Sequence, residues 1–222
     1  MKLDFSSKGM RRKRRAAIVA LEGCPPADLK RALALARDYD RDAMLVAVDG
    51  GLDTCRAVRR SPTLFVGDLD STRRPPRGVP TLIYPIEKDF SDFAGALDEL
   101  AKRDVSIVVV AGLLGGRLDH EWANLLEVGS AAKRFSGLLA PSARGLVAVT
   151  ARGLSAKTTP RRFVSLFAAG RGARVTLRGT WWTLTRTRVA PGSLGLSNVT
   201  GDRLSLDVHE GVAVVVFPAP LA

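Results

Sequence analysis

The sequence is poor in the residues that build disulfide frameworks and zinc centres. Its 222 residues include only two cysteines, Cys24 and Cys55, and two histidines, His120 and His209. The cysteines are far apart and form no CxxC, so they read as buried free thiols, and a zinc site lacks ligands. Long apolar runs are missing as well. Six apolar residues at 16–21 come after a basic stretch, but Glu22 and the prolines at 25 and 26 end the run before it reaches the length of an export signal. No later stretch approaches the roughly 20 apolar residues of a membrane span, so the chain reads as a cytoplasmic protein with no membrane partner. Neither GxxxxGK[ST] nor GxGxxG occurs, which excludes the common glycine-rich phosphate loops.

Apolar residues are plentiful, at 46%, and supply material for real cores. The formal charge is +12, of which five lie in Arg11-Arg12-Lys13-Arg14-Arg15, leaving +7 for the rest. Residues 1–15 read as a solvated basic tail. A nucleic-acid partner would be motivated by this charge alone, since no recognition motif accompanies it. Anionic small molecules such as nucleotides suit a basic surface equally well.

Apolar runs at 16–21, 43–48, 63–66, 79–84 and 105–110 alternate with helical periodicities. The helices place Leu29, Leu33 and Ala36 on one face, then a short stretch at 54–60, then Phe90, Phe93, Leu97 and Leu100, and finally Leu118, Trp122, Leu125 and Gly129. Strands alternating with helices predict a parallel α/β sheet. After residue 135 the pattern becomes short strand-like runs at 145–150, 162–168, 173–178, 181–189, 203–208 and 212–217. The expected fold is therefore α/β, with a Rossmann-like parallel-sheet domain over 16–138 followed by an antiparallel β-sandwich domain over 139–222.

Carboxylates recur where the N-terminal strands end. The run at 63–66 stops at Gly67-Asp68-Leu69-Asp70, and extended backbone points Asp68 and Asp70 the same way. Two carboxylates so close repel unless a hard cation with oxygen ligands joins them, and Mg²⁺ is the natural candidate. Asp49 comes after the second strand, beside Gly50 and Gly51, and Asp89 and Asp92 come after the fourth. Carboxyl ends of parallel strands form the ligand crevice, so these acids can converge there. Other readings stay open: Asp49 suits a tight turn with the two glycines, and Asp89 suits a helix N-cap with Asp92 at the third helical position. Gly115-Gly116-Arg117-Leu118-Asp119-His120 opens the next helix, where phosphate could meet free N–H groups and Arg117. His120 could serve as a general base or only as a hydrogen-bonding helix residue. Lys88 reads as a phosphate contact or an exposed lysine, and His209 as a structural residue of a hairpin turn. Trp181 and Trp182 fall in a predicted strand, so one ring is expected in the core and the other is left for stacking on a flat or cationic ligand, with core packing the alternative for either.

Taken together, Val48-Asp49-Gly50-Gly51, Gly67-Asp68-Leu69-Asp70-Ser71, Lys88-Asp89-Phe90-Ser91-Asp92, the segment from Gly115 to His120 with Asn124, and Gly195-Leu196-Ser197-Asn198 resemble the thiamine pyrophosphokinase family. The resemblance implies transfer of pyrophosphate from ATP to the hydroxyl of thiamine, giving thiamine diphosphate and AMP. It places Mg²⁺ on Asp49, Asp68, Asp70 and Asp92, with Asp68, Asp70 and Asp92 as the catalytic set. Gly50, Lys88, Arg117 and Asp119 fall in its ATP-binding segments. Trp182 matches its thiamine-stacking aromatic, and Ser197-Asn198 its thiamine-site motif. It also implies a homodimer with the thiamine site shared between subunits. Ser91 stands where the family commonly has Thr, and Val199 where many bacterial members have Glu. Two other readings are a pyrophosphokinase for another hydroxymethyl heterocycle, such as a pterin, and a non-catalytic nucleotide-binding module of the same fold.

Overall fold

The computed structural model describes residues 1–5, 15–69 and 77–219. Asp70 and most of the basic run therefore lie outside the described residues. The chain opens with β1 (Leu3–Phe5), then β2 (Ala16–Ala20), α1 (Pro26–Arg37), β3 (Met44–Val48), α2 (Gly51–Ala57), β4 (Leu64–Gly67), β5 (Thr81–Ile83), α3 (Asp92–Lys102), β6 (Ile107–Ala111) and α4 (Leu118–Ala131). Strands dominate the C-terminal stretch: β7 (Gly137–Ser142), β8 (Gly145–Thr150), β9 (Gly153–Lys157), β10 (Phe163–Thr180), β11 (Leu184–Val189) and β12 (Gly195–Pro218). Two compact units result. One comprises Arg14–Glu127 with Ala140–Ala143, the other Met1–Lys13, Val128–Leu139 and Arg144–Ala222.

The first unit has the expected parallel sheet, in the order β6, β2, β3, β4, β5. Every residue of β2 and β6 is buried. Because successive side chains alternate between faces, both faces of these strands are covered, which is why their sequences are unbroken runs of Ala, Ile and Val. Strand order runs outward from β2 to β5 on one side and to β6 on the other. A crevice is expected at that reversal, beyond the carboxyl ends of β2 and β6.

Two helix readings are corrected. The cap of α3 is Ser91, whose extended backbone leaves its Oγ free to accept from the Ala94 N–H at 3.0 Å. Asp92 is thus the first helical residue, Asp89 is no cap, and Phe90 stands outside the helix, edge-on to Tyr84 at 5.1 Å. In α4, Leu118 and Trp122 are exposed rather than buried, and Val128 and Ala131 take the inner row. The polar residues Glu121 and Asn124 face a cavity, so the apolar stripe is turned outward.

In the second unit β1 pairs antiparallel with β9, Leu3 with Ala156 and Phe5 with Leu154, and both β1 side chains are buried. The stretch read as a tail therefore starts with a strand. Strand β12 pairs antiparallel with β9 over residues 203–207 and with β8 over 213–218. Along β10 its partner numbers fall as β10 advances, from Ser165 with Val216 to Arg178 with Ser205, so these strands also run in opposite senses. Four runs expected as separate strands merge into β10 and β12. Gly170, Gly172 and Gly211 take positive φ (60°, 114° and 78°) and let the ladder bulge without ending. His209 consequently lies within β12, not in a turn, with its Nε2 2.9 Å from Thr176 Oγ1.

Candidate active site

Three strand ends build an acidic cluster. Asp49, just past β3, adopts φ 43°, a left-handed conformation that Asp tolerates. Its Oδ1 accepts from the Asp68 N–H at 3.3 Å. A Cβ at position 67 would collide with that same Oδ1, so Gly67 ends β4 in order to admit the carboxylate. Asp68 comes directly after it, and Asp92 arrives from the start of α3. Asp49, Asp68 and Asp92 each offer a carboxylate oxygen within 4.8 Å of the others.

Lys88 is drawn into this cluster, which corrects its reading as an exposed lysine. Its Nζ lies 2.7 Å from Asp68 Oδ2 and 3.0 Å from Asp92 Oδ2, and its side chain is 8% exposed. Burial alone would lower its pKa, but the hydrogen bonds to Asp68 and Asp92 outweigh that and hold it above the usual value. Asp49 is pushed up to about 7, first by burial and then by the facing charges of Asp92 and Asp68.

The residues fit a hard divalent cation. Among the described residues, three carboxylates meet at one ammonium, and Asp92 Oδ1 is buried there without a hydrogen-bond partner. An all-oxygen donor set suits Mg²⁺, which completes its shell with water and phosphate. Asp49, Asp68 and Asp92 would hold it.

Beside the cluster lies a cavity of about 470 Å³, large enough for a nucleotide. Glu22 and Gly23 after β2, with Gly112 after β6, line it at the strand reversal. Arg117, His120 and Asn124 line it from the other side. Arg117 is held in a two-point ion pair by Asp119, at 3.2 Å from Nε to Oδ1 and 2.6 Å from Nη2 to Oδ2, with both groups exposed. Glu121 Oε1 accepts from the Gly115 N–H and so closes the glycine loop. Gly50 does not line the cavity; a Cβ there would press on the Glu22 side chain. Glu22 and Gly112 escaped the sequence reading, although they come after strands just as Asp49 does.

In the second unit Trp182, Ser197 and Asn198 gather. Strand β10 ends at Thr180 after Gly179 turns the chain at φ 79°, so Trp181 and Trp182 lie in a bend. Both rings are exposed, at 66% and 62%, packed edge-to-face with centroids 6.3 Å apart. Neither enters the core, contrary to the alternation expected of a strand. Buried Asn198 fixes the bend: its Oδ1 accepts from the Trp182 N–H at 3.1 Å and its Nδ2 donates to the Trp182 carbonyl at 2.7 Å. Ser197 has φ 59°, and its N–H donates to Ser165 Oγ at 3.1 Å.

A parallel α/β sheet with clustered carboxylates and a nucleotide-sized cavity at its strand ends places the chain among α/β proteins whose geometry would suit a metal-bound polyphosphate. Residues 36–136 match the family model described as thiamin pyrophosphokinase, catalytic domain. A curated relative, the thiamine pyrophosphokinase of Bacillus subtilis, is 33% identical over 92 residues; the alignment spans 39% of this chain and 43% of that protein's length. Among solved structures, the Bacillus subtilis thiamine pyrophosphokinase superposes with TM-score 0.76 at 21% identity, covering 93% of this chain and all of the other. The thiamin pyrophosphokinase of Candida albicans gives TM-score 0.70 at 14% identity, over 93% and 90% of the two chains. At those identities the structures speak for the fold. In sequence, then, residues 36–136 are similar to the catalytic domain of thiamine pyrophosphokinases.

Proposed function

We propose that the protein is a thiamine pyrophosphokinase, transferring the pyrophosphoryl group of ATP to the hydroxyl of thiamine. The observation that carries this reading is the convergence of Asp49, Asp68 and Asp92 beside the cavity, in a chain whose residues 36–136 match the family's catalytic domain. In the reaction the thiamine hydroxyl oxygen bonds to the β-phosphorus and gives up its proton to solvent, the bond from that phosphorus to the α,β-bridging oxygen breaks, and AMP departs with the oxygen. Phosphoryl-type transfer depends chiefly on alignment and on charge neutralisation. Mg²⁺, held by Asp49, Asp68, Asp92 and, on this reading, Asp70, supplies that neutralisation when bound.

The remaining residues take these roles. Arg117, oriented by Asp119, and Lys88 donate charged hydrogen bonds to phosphate oxygens. Gly50 leaves room for Glu22 at the cavity edge. Trp182, held by Asn198, offers a face to the cationic thiazolium, worth roughly 0.5 to 2 kcal/mol, with Ser197 alongside. Residues 16–138 then form the ATP-binding domain and 139–222 the thiamine-binding β-sandwich. A homodimer with the thiamine site at the subunit interface is implied by the family resemblance.

Purified protein incubated with ATP, Mg²⁺ and thiamine is expected to release AMP and thiamine diphosphate in equal amounts. AMP formation with a hydroxymethylpterin and none with thiamine would transfer the reading to another acceptor, and no AMP with either would remove the catalytic one. Asp70→Asn is expected to abolish nearly all turnover in a folded protein; retained activity takes Asp70 out of the metal set.

A further inference from the structure

Lys88 raises a separate question, because its ammonium occupies oxygens that a metal would need. Nζ contacts Asp68 Oδ2 at 2.7 Å and Asp92 Oδ2 at 3.0 Å, and the three side chains are 8%, 9% and 10% exposed. A buried ion pair of this kind is not given up without a replacement partner for each charge. A bare divalent cation replaces the ammonium at the carboxylates but leaves the ammonium at the cavity wall without an anionic partner. A metal that arrives on a polyphosphate brings phosphate oxygens too. The four-carbon stem of lysine is flexible enough to move its point charge onto them.

We propose that Lys88 fills the metal seat while no nucleotide is bound, and thereby makes the site selective for a metal–polyphosphate complex over a free divalent ion. The inference rests on the reading of Asp49, Asp68 and Asp92 as the metal seat. It assigns Lys88 a second role besides phosphate contact: an internal competitor that couples metal binding to nucleotide binding, with each ligand raising the affinity of the other by the same factor. A seat without the ammonium would hold the bare ion more tightly, since one positive charge a few ångströms away in a partly dry site is removed.

The test is titration of Mn²⁺ into the protein, following the free ion by electron paramagnetic resonance, with and without a non-hydrolysable ATP analogue. Without nucleotide, Lys88→Gln is expected to bind Mn²⁺ about 10- to 100-fold more tightly than the wild type, while Lys88→Arg, which keeps the charge, stays as weak as the wild type. The analogue should strengthen Mn²⁺ binding far more in the wild type than in Lys88→Gln. Equal or weaker Mn²⁺ binding by Lys88→Gln overturns the proposal, as does Lys88→Arg binding as tightly as Lys88→Gln. Thermal melting covers the case of poor folding: Lys88→Gln should melt low in EDTA and recover in millimolar Mn²⁺, and a variant that stays unfolded in Mn²⁺ counts against the proposal. Failure of the underlying reading looks different, for then no protein binds Mn²⁺ even with the analogue present.

Discussion

Residues 1–127 carry 21 Lys and Arg against 19 Asp and Glu, whereas residues 128–222 carry 13 against 3. The first region keeps three carboxylates and a lysine together, largely out of water. The second does its positioning with neutral groups: Asn198 and Ser165 hold the backbone at Trp182 and Ser197. On the proposed function, the first arrangement would grip a metal–polyphosphate through concentrated charge on rigid strand ends, and the second would offer a cationic ring an exposed aromatic face held by neutral groups.

Removing a charge from the first region should have the largest effect. Asp92→Asn is expected to lower kcat by on the order of 10²- to 10³-fold with the circular dichroism spectrum intact; a loss below tenfold would take Asp92 out of the site. Gly67→Ala strikes the same cluster sterically, since the added methyl would run into Asp49 Oδ1. It should cost about 1–3 kcal/mol in urea unfolding and weaken Mg²⁺-dependent ATP binding. In the second region Asn198→Ala leaves the Trp182 amide and carbonyl without their partner. A loss of about 1–3 kcal/mol is expected, with the KM for thiamine rising and that for ATP unchanged. Parallel rises in both would erase the proposed division of labour.

Asp49 separates the regions by pH. Its folded pKa lies near 7 against the usual 3.8, so the folded state holds the proton more firmly than the unfolded one. The associated stability is complete below about pH 4 and is lost as the pH climbs through 7. In EDTA, melting temperature should therefore fall between about pH 4 and pH 7, and Asp49→Asn should flatten part of that fall; an identical slope in the variant would show that other groups produce it. The smallest effect concerns α4. Trp122→Ala should change stability in the monomer by less than about 0.5 kcal/mol, because the ring is 66% exposed.

Strand ends are legible in the sequence because the apolar runs stop abruptly at Asp49 and at Gly67-Asp68, and parallel topology sends those ends to one rim. Other features depend on contacts that periodicity does not carry. Lys88 lies in a loop, and nothing local shows that it turns inward onto Asp68, twenty residues earlier. Strand β1 is three residues long and its partner β9 is some 150 residues away. The glycines at 170, 172 and 211 look like strand breaks, yet they carry bulges inside continuous strands. The outward face of α4 is hidden from periodicity because its cavity-facing row includes the polar residues Glu121 and Asn124. Trp181 and Trp182 lie past the end of β10 at Thr180, so the alternation of an extended run does not reach them.

Calorimetric titration of a non-hydrolysable ATP analogue, with Mg²⁺ and again with EDTA, tests most directly whether the acidic rim grips a metal–nucleotide complex. Tight binding that needs Mg²⁺ in the wild type and is lost in Asp68→Asn is the predicted result. Binding of equal strength in EDTA, or undiminished by that substitution, would contradict the account.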